Sequence, residues 1–209
     1  MQILRQIMRT ALVAGILTGL CFNPVLAGDI DAPAGWTLEQ GVDLPSYALI
    51  EPRSRTLNLD VVVLACELAD DHRVLQLQLY LTNDGPLMPD GVAAARAKRD
   101  PRAEIVIDDH VFPVGLLFAG DHVVLSDETR EMFPRLSDWL LNAIEQGTTM
   151  QLRFDLVGEP AGQPAAFDGE AVVDLQAGPA ATRGAAVAAV RRCATDAAPQ
   201  SVALASPRR

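Results

Sequence analysis

Along residues 74–81, leucines at 75, 77, 79 and 81 alternate with Val74, Gln76, Gln78 and Tyr80. Period-two alternation marks a β-strand with one face turned to a core, so this strand has one aliphatic and one amphipathic face. Just upstream, residues 57–68 form a nearly continuous apolar run, the pattern of a strand buried on both faces. The "ADDH" between them reads as a hairpin turn, because aspartate tolerates turn geometry and bonds its own backbone. The two strands are therefore expected to be antiparallel neighbours.

Similar patterns predict strands over 47–51, 103–107, 111–118, 122–125, 149–157 and 170–175. Within "DETREMFPRLSDWLLNAIEQG", Leu136, Trp139, Leu140, Ala143 and Ile144 recur at three- and four-residue spacing. That predicts an amphipathic helix ending at Gly147, with the stripe as core. An Ala-rich helix is expected over 182–193. Residues 83–102 break the pattern: "NDGPLMPDG" is punctuated by Gly and Pro, and "VAAARAKR" predicts a short helix capped by Asp90. Residues 28–44 predict an extended segment anchored by Trp36, and residues 194–209 a disordered tail. No internal repeat is present. The fold class that follows is mainly β (α+β): an antiparallel, β-sandwich-like domain over 45–193 with about two flanking helices.

The amino terminus changes the picture. Arg5 and Arg9 precede an apolar stretch over 11–22, and "NPVLAGD" follows with small residues at Val25 and Ala27. This is the layout of a secretory signal peptide cleaved after Ala27, and it places the mature chain in the periplasm. The stretch is shorter than the roughly 18–20 residues that span a bilayer, so no integral membrane span is expected after cleavage. Losing Arg5 and Arg9 leaves 15 basic against 27 acidic residues, a net charge of −12. Such a chain repels nucleic acid and anionic lipid, both of which are bound through clustered Lys and Arg.

Cys66 and Cys193 remain after cleavage, and exported chains lie where disulfides form and persist. A Cys66–Cys193 disulfide is expected, tying an early strand to the last helix. The alternative is a buried free thiol at Cys66 and an exposed one at Cys193. Without a C-x-x-C spacing, redox catalysis is not indicated.

The residues offer little chemistry. The pairs Asp71-His72, Asp109-His110 and Asp121-His122 invite a metal site. A strand over 111–118 would, however, hold His110 and His122 about 26 Å apart, leaving only a two-ligand site that uses His72. The ordinary reading is turn residues, and no metal or cofactor is assigned. No G-x-S-x-G elbow surrounds Ser46, Ser54, Ser126 or Ser137, and no phosphate or dinucleotide loop appears. Glu104, Asp155 and Asp174 are the strand carboxylates from which a catalytic acid and base would come, but exposed strand faces carry such residues anyway. Lys98, the only lysine, reads as a compositional habit. The candidate binding surface is the polar strand face of Gln76, Gln78 and Tyr80.

Read end to end, the chain gives an early tryptophan, a strand cysteine, a central strand pair, and "IVIDDHVFPVGL". A helix then leads into "EQGTTMQLRF", followed by "FDGEAVVDL" and a short Ala-rich helix. Over about residues 36–193 this order resembles the invasion-associated locus B family and other alphaproteobacterial envelope domains, chiefly through "AIEQGTTMQLRF". The family's further mid-chain cysteine pair is missing here, and the insertion over 83–102 also departs from its pattern. The resemblance implies a periplasmic β-sandwich-like fold with an accessory or interaction role, and it supplies no catalytic residues. The expected function is therefore non-enzymatic binding of an envelope protein or small-molecule ligand; the alternative is a periplasmic hydrolase using carboxylates and a metal.

Overall fold

A computed structural model describes residues 35–70, 72–83, 85–159, 162–179 and 184–196. The expected signal peptide, the first part of the extended segment and residues 197–209 of the expected tail lie outside them. The strands are β1 (Thr37–Leu38), β2 (Tyr47–Ile50), β3 (Ser54–Arg55), β4 (Leu59–Ala69), β5 (His72–Leu81), β6 (Ala97–Ile107), β7 (His110–Phe118), β8 (His122–Ser126), β9 (Glu128–Arg130), β10 (Phe133–Arg135), β11 (Thr149–Val157) and β12 (Gly169–Asp174). The helices are α1 (Asp138–Gln146) and α2 (Ala185–Asp196). The fold is mainly β, as the alternating sequence predicts.

Ten strands form one antiparallel sheet in the order β1-β2-β4-β5-β8-β7-β6-β11-β12-β3. It has two arms that share β7, whose first half pairs with β6 and whose second half pairs with β8. The segment linking β2 to β4 in one arm supplies β3, which pairs with β12 at the far edge of the other. That chain crossing curls the sheet back on itself. Alternate residues of every long strand then face one interior: Val62 and Leu64 on β4, Leu77 and Leu79 on β5, Ile105 on β6, Phe112 on β7, Leu125 on β8, and Leu152 and Phe154 on β11. Each such side chain contributes roughly 1.5–3 kcal/mol by leaving water.

The hairpins follow the turn chemistry expected. Ala69 pairs with His72 and Ile107 with His110, each across a two-residue loop. Asp70 and Asp108 take φ of 51° in these loops, the left-handed region that such tight turns require and that aspartate tolerates. Asp108 also reaches across to β11, accepting hydrogen bonds from the backbone N–H groups of Thr148 and Thr149 and from the Thr148 hydroxyl.

Three expectations need correcting. The helix expected from "VAAARAKR" is a single 3-10 turn, Ala94–Arg96, following Ala93 with no side-chain cap, so Asp90 does not cap it. Strand β6 begins straight after it at Ala97 and runs through Pro101 to Ile107. Pro101 is accommodated because the ladder to β11 is irregular there, between Asp155 and Val157, where no N–H is demanded of it. The helical passage is shorter than expected because residues 128–135 form the β9–β10 hairpin. Helix α1 starts only after Ser137, whose hydroxyl accepts from the Leu140 N–H at 3.1 Å. Finally, Trp139 is 63 % exposed, and its neighbour Leu141 takes the buried position. Gly147 does end the helix, and an added Cβ there would collide with the Ile107 side chain.

Cys66 and Cys193 form a disulfide with Cα atoms 6.3 Å apart, bridging 127 residues and pinning α2 to β4. Cys66 shares its strand face with Val62 and Leu64, so α2 lies on the interior side, where Val187 and Val190 are fully buried. Arg73 donates to the Cys193 sulfur at 3.3 Å. Closing so long a loop restricts the unfolded chain, so Cys66→Ser and Cys193→Ser should each lower unfolding free energy by about 2–5 kcal/mol. Urea melts of the oxidised proteins test this; an unchanged midpoint in both variants removes the crosslink from the stability argument.

Candidate functional site on the outer sheet face

While Val62, Leu64 and Cys66 of β4 enter the core, Val61, Val63, Ala65 and Glu67 point to the other side of the sheet. The register sets Tyr47 and Leu49 of β2 against Ala65 and Val63, and Gln78 and Tyr80 of β5 against Val63 and Val61. These residues line a groove of about 360 Å³, with Ser46 and Glu67 at one end. From Val61 to Glu67 it runs about 20 Å at a strand's rise per residue. Val63 and Ala65 are buried yet stand apart from the main core, as does Val124 of β8, paired with Gln78. The sheet thus carries a second, smaller apolar layer on its outside.

The three residues expected as a binding face separate here. Gln78 and Tyr80 line the groove, and Gln76 does not. Gln76 is covered by the β9–β10 hairpin, its amide donating to the Pro134 carbonyl at 2.8 Å. Gln78, only 4 % exposed, donates to Glu67 Oε1 at 2.9 Å and accepts from the Tyr80 hydroxyl at 3.3 Å. A buried amide must be satisfied in this way or destabilise the fold. The Tyr80 ring stacks on His122 at 5.2 Å, and His122 Nδ1 lies 2.9 Å from Asp121 Oδ1. Burial, with the negative charges of Asp121 and Glu67, pushes the Tyr80 phenol above its usual range. It therefore keeps its proton, and the groove end sits in negative potential. Tyr47, Leu49, Val61 and Glu67 belong to this site but were missed in the sequence, since only cross-strand register brings them beside Gln78.

The candidate carboxylates do not form an acid–base pair. Glu104 faces Arg153 across the strands at 2.6 Å. Asp174 accepts from the Gln176 N–H at 2.9 Å. Asp155, fully buried, is held by Lys98 at 2.8 Å and Arg102 at 2.6 Å, and Lys98 also reaches Glu159 at 3.0 Å. Burial alone would raise the Asp155 pKa, but hydrogen bonds and charge from Lys98 and Arg102 outweigh it and hold the carboxyl below its usual range. The Asp155 hydrogen bond leads in raising Lys98. A general acid at neutral pH needs the opposite shift. The lone lysine is thus a half-buried clamp between β6 and β11 rather than a compositional accident.

The histidines are kept apart. His122 lies opposite Tyr80 near the end of β5, whereas His72 begins that strand, and His110 begins β7 at the end remote from the β7–β8 turn. Among the described residues, no three His, Cys, Asp or Glu side chains are grouped to hold a metal ion. No described helix is long and apolar enough to cross a membrane. In comparisons with known proteins the chain matches no family model, no curated protein and no solved structure.

Because the Asp155 pKa is depressed by folding, its contribution to stability is complete above the unfolded value of about 3.9 and is lost as pH falls below it. Asp155→Asn should cost about 1.5–3 kcal/mol at pH 7, since it weakens the charge-assisted hydrogen bonds that Lys98 and Arg102 make to a fully buried carboxylate. The gap from wild type should narrow as pH drops from 5 toward 3. Denaturant melts across that range test the assignment; a constant gap would show that folding does not lower the Asp155 pKa.

Proposed function

We propose that this is an exported, periplasmic, non-enzymatic binding protein whose outer sheet groove seats a segment of a partner envelope protein, apolar along its length and carrying a Lys or Arg. The observation that carries this reading is the apolar strip of Leu49, Val61, Val63 and Ala65 ending against Glu67, on a sheet face outside the main core. Exposed or half-exposed apolar strips bordered by polar groups mark interaction sites. The charge selects the partner: among the described residues Glu67 is engaged by the Gln78 amide and by no cation, and the whole chain is strongly acidic. A basic side chain laid beside Glu67 gains a charge-assisted hydrogen bond at the edge of an apolar surface. About 20 Å of groove accommodates six extended residues or roughly thirteen helical ones.

Export is supported by the leader-like sequence over 1–27 and by a disulfide that needs an oxidising compartment. The resemblance to the invasion-associated locus B family points to the same compartment and to an interaction role. Binding is favoured over hydrolysis because the carboxylates proposed for catalysis are engaged by Arg153, by Lys98 and Arg102, or by a backbone N–H.

The test places a photo-crosslinking amino acid at position 47 or 61 in intact cells, with exposed position 99 as control, and maps adducts by mass spectrometry. The expected result is one protein adduct at 47 and 61, mapped to an apolar segment with a basic residue and lost in Glu67→Lys. A lipid adduct, a self-adduct, or adducts no different from position 99 would overturn the proposal.

A further inference from the structure

A second concavity lies away from the outer groove, where α1 meets the β6–β7 hairpin. Trp139, Asn142 and Gln146 recur at three- and four-residue spacing on α1, so they project from one helix face. With Phe112, His110 and Ala143 they line a pocket of about 250 Å³. Trp139 packs against Phe112, ring centroids 4.5 Å apart and planes inclined at 53°. Phe112 is buried in the core, so the contact fixes the indole while leaving most of it open to water. An anchored but exposed tryptophan is a poor use of a large apolar ring unless something covers it.

The polar side chains around it are uncommitted. Among the described residues, Gln146 and His110 make no side-chain hydrogen bond. Asn142 accepts from Arg191 at 2.7 Å through Oδ1, which leaves its amide N–H groups to donate. Arg191 itself is held by Glu145 at 2.8 Å. Asp108, on the rim, is occupied by Thr148 and Thr149. The site therefore combines a flat apolar platform, amide donors and acceptors, and an imidazole, with an aspartate rather than an available cation at its edge. Phosphate-bearing ligands are disfavoured by that charge. The matching chemistry is a neutral ring with one C–H face and a periphery of hydroxyls.

We infer that this pocket binds one pyranose ring of a neutral saccharide, stacked on Trp139 and hydrogen-bonded by Asn142, Gln146 and His110. Its volume, below the roughly 300–1,000 Å³ of drug-sized sites, suits one ring with the rest of a glycan lying outside. Affinity for such a shallow contact should be weak, with Kd on the order of 1 mM.

A Trp36→Phe background makes Trp139 the only tryptophan of the mature chain. Its fluorescence is titrated with N-acetylchitotriose, cellotriose and maltotriose, and ligand-observed saturation-transfer NMR is run on the same sugars. The expected result is a saturable fluorescence change with at least one of them. The NMR signal should vanish in Trp139→Ala and the Kd should rise about tenfold in Gln146→Ala, with melting temperatures unchanged. No saturable change with any of the three, or binding that survives Trp139→Ala, overturns the assignment. Glu67→Lys in the outer groove should leave these titrations untouched, so the two sites fail independently.

Discussion

The register of β4 against β5 is the constraint on which the rest depends. Ten cross-strand pairs, from Leu59 with Leu81 to Ala69 with His72, fix which side chains of both strands look inward. A slip by one residue would turn Leu75, Leu77 and Leu79 outward and place Gln76 and Gln78 in the core. The two-residue turn at Asp70 prevents that slip locally, and the disulfide from Cys66 to α2 reinforces it from the interior side. Both faces of this hairpin are thereby specified at once. The inner face forms the core, and the outer face forms the floor and one wall of the groove.

Much of this was legible in the sequence because period-two alternation reports directly on a sheet with one buried face. Strands β5, β7, β8 and β11 follow their apolar patterns closely, and the pairing of Cys66 with Cys193 matches the expected crosslink. What was not legible depends on contacts distant in the chain. Gln76 and Gln78 have a solvated composition, yet Pro134 and Glu67 cover and satisfy them. Lys98 gave no signal because its partners lie about sixty residues away, Asp155 on β11, whose ladder to β6 is irregular, and Glu159 just past that strand's end. Trp139 fits the apolar stripe of α1 by spacing, but the stripe turns so that Leu141 is buried, and the indole is left on the rim against Phe112.

Charge is distributed with the same economy. The second arm of the sheet binds its carboxylates internally, with Glu104 to Arg153 and Asp155 to Lys98 and Arg102. On the first arm, among the described residues, Glu67 meets an amide and Asp121 a histidine, so their charge is left to act on Tyr80 and on whatever approaches it. Surface ion pairs contribute little to stability, whereas uncompensated charge beside an apolar surface selects partners. The uneven neutralisation therefore says more about recognition than about folding.

The backbone narrows the mode of recognition further. In β2, β4 and β5 most main-chain groups along the groove are committed to neighbouring strands, β4 to β2 over Val62–Ala65 and β5 to β8 over Leu77–Tyr80, with β2 flanked in part by β1. An occupant of the groove cannot add itself as a new strand there, because that mode needs an unpaired sheet edge. The edges the sheet does offer, β1 and β3, are two residues long each, too short to template a partner. Under the proposed function, recognition on the outer face is made by side chains. On that proposal, specificity resides in the spacing between an aliphatic strip and one carboxylate. That spacing is set by the β4–β5 register, so the interaction that determines the core also determines the geometry available to a partner.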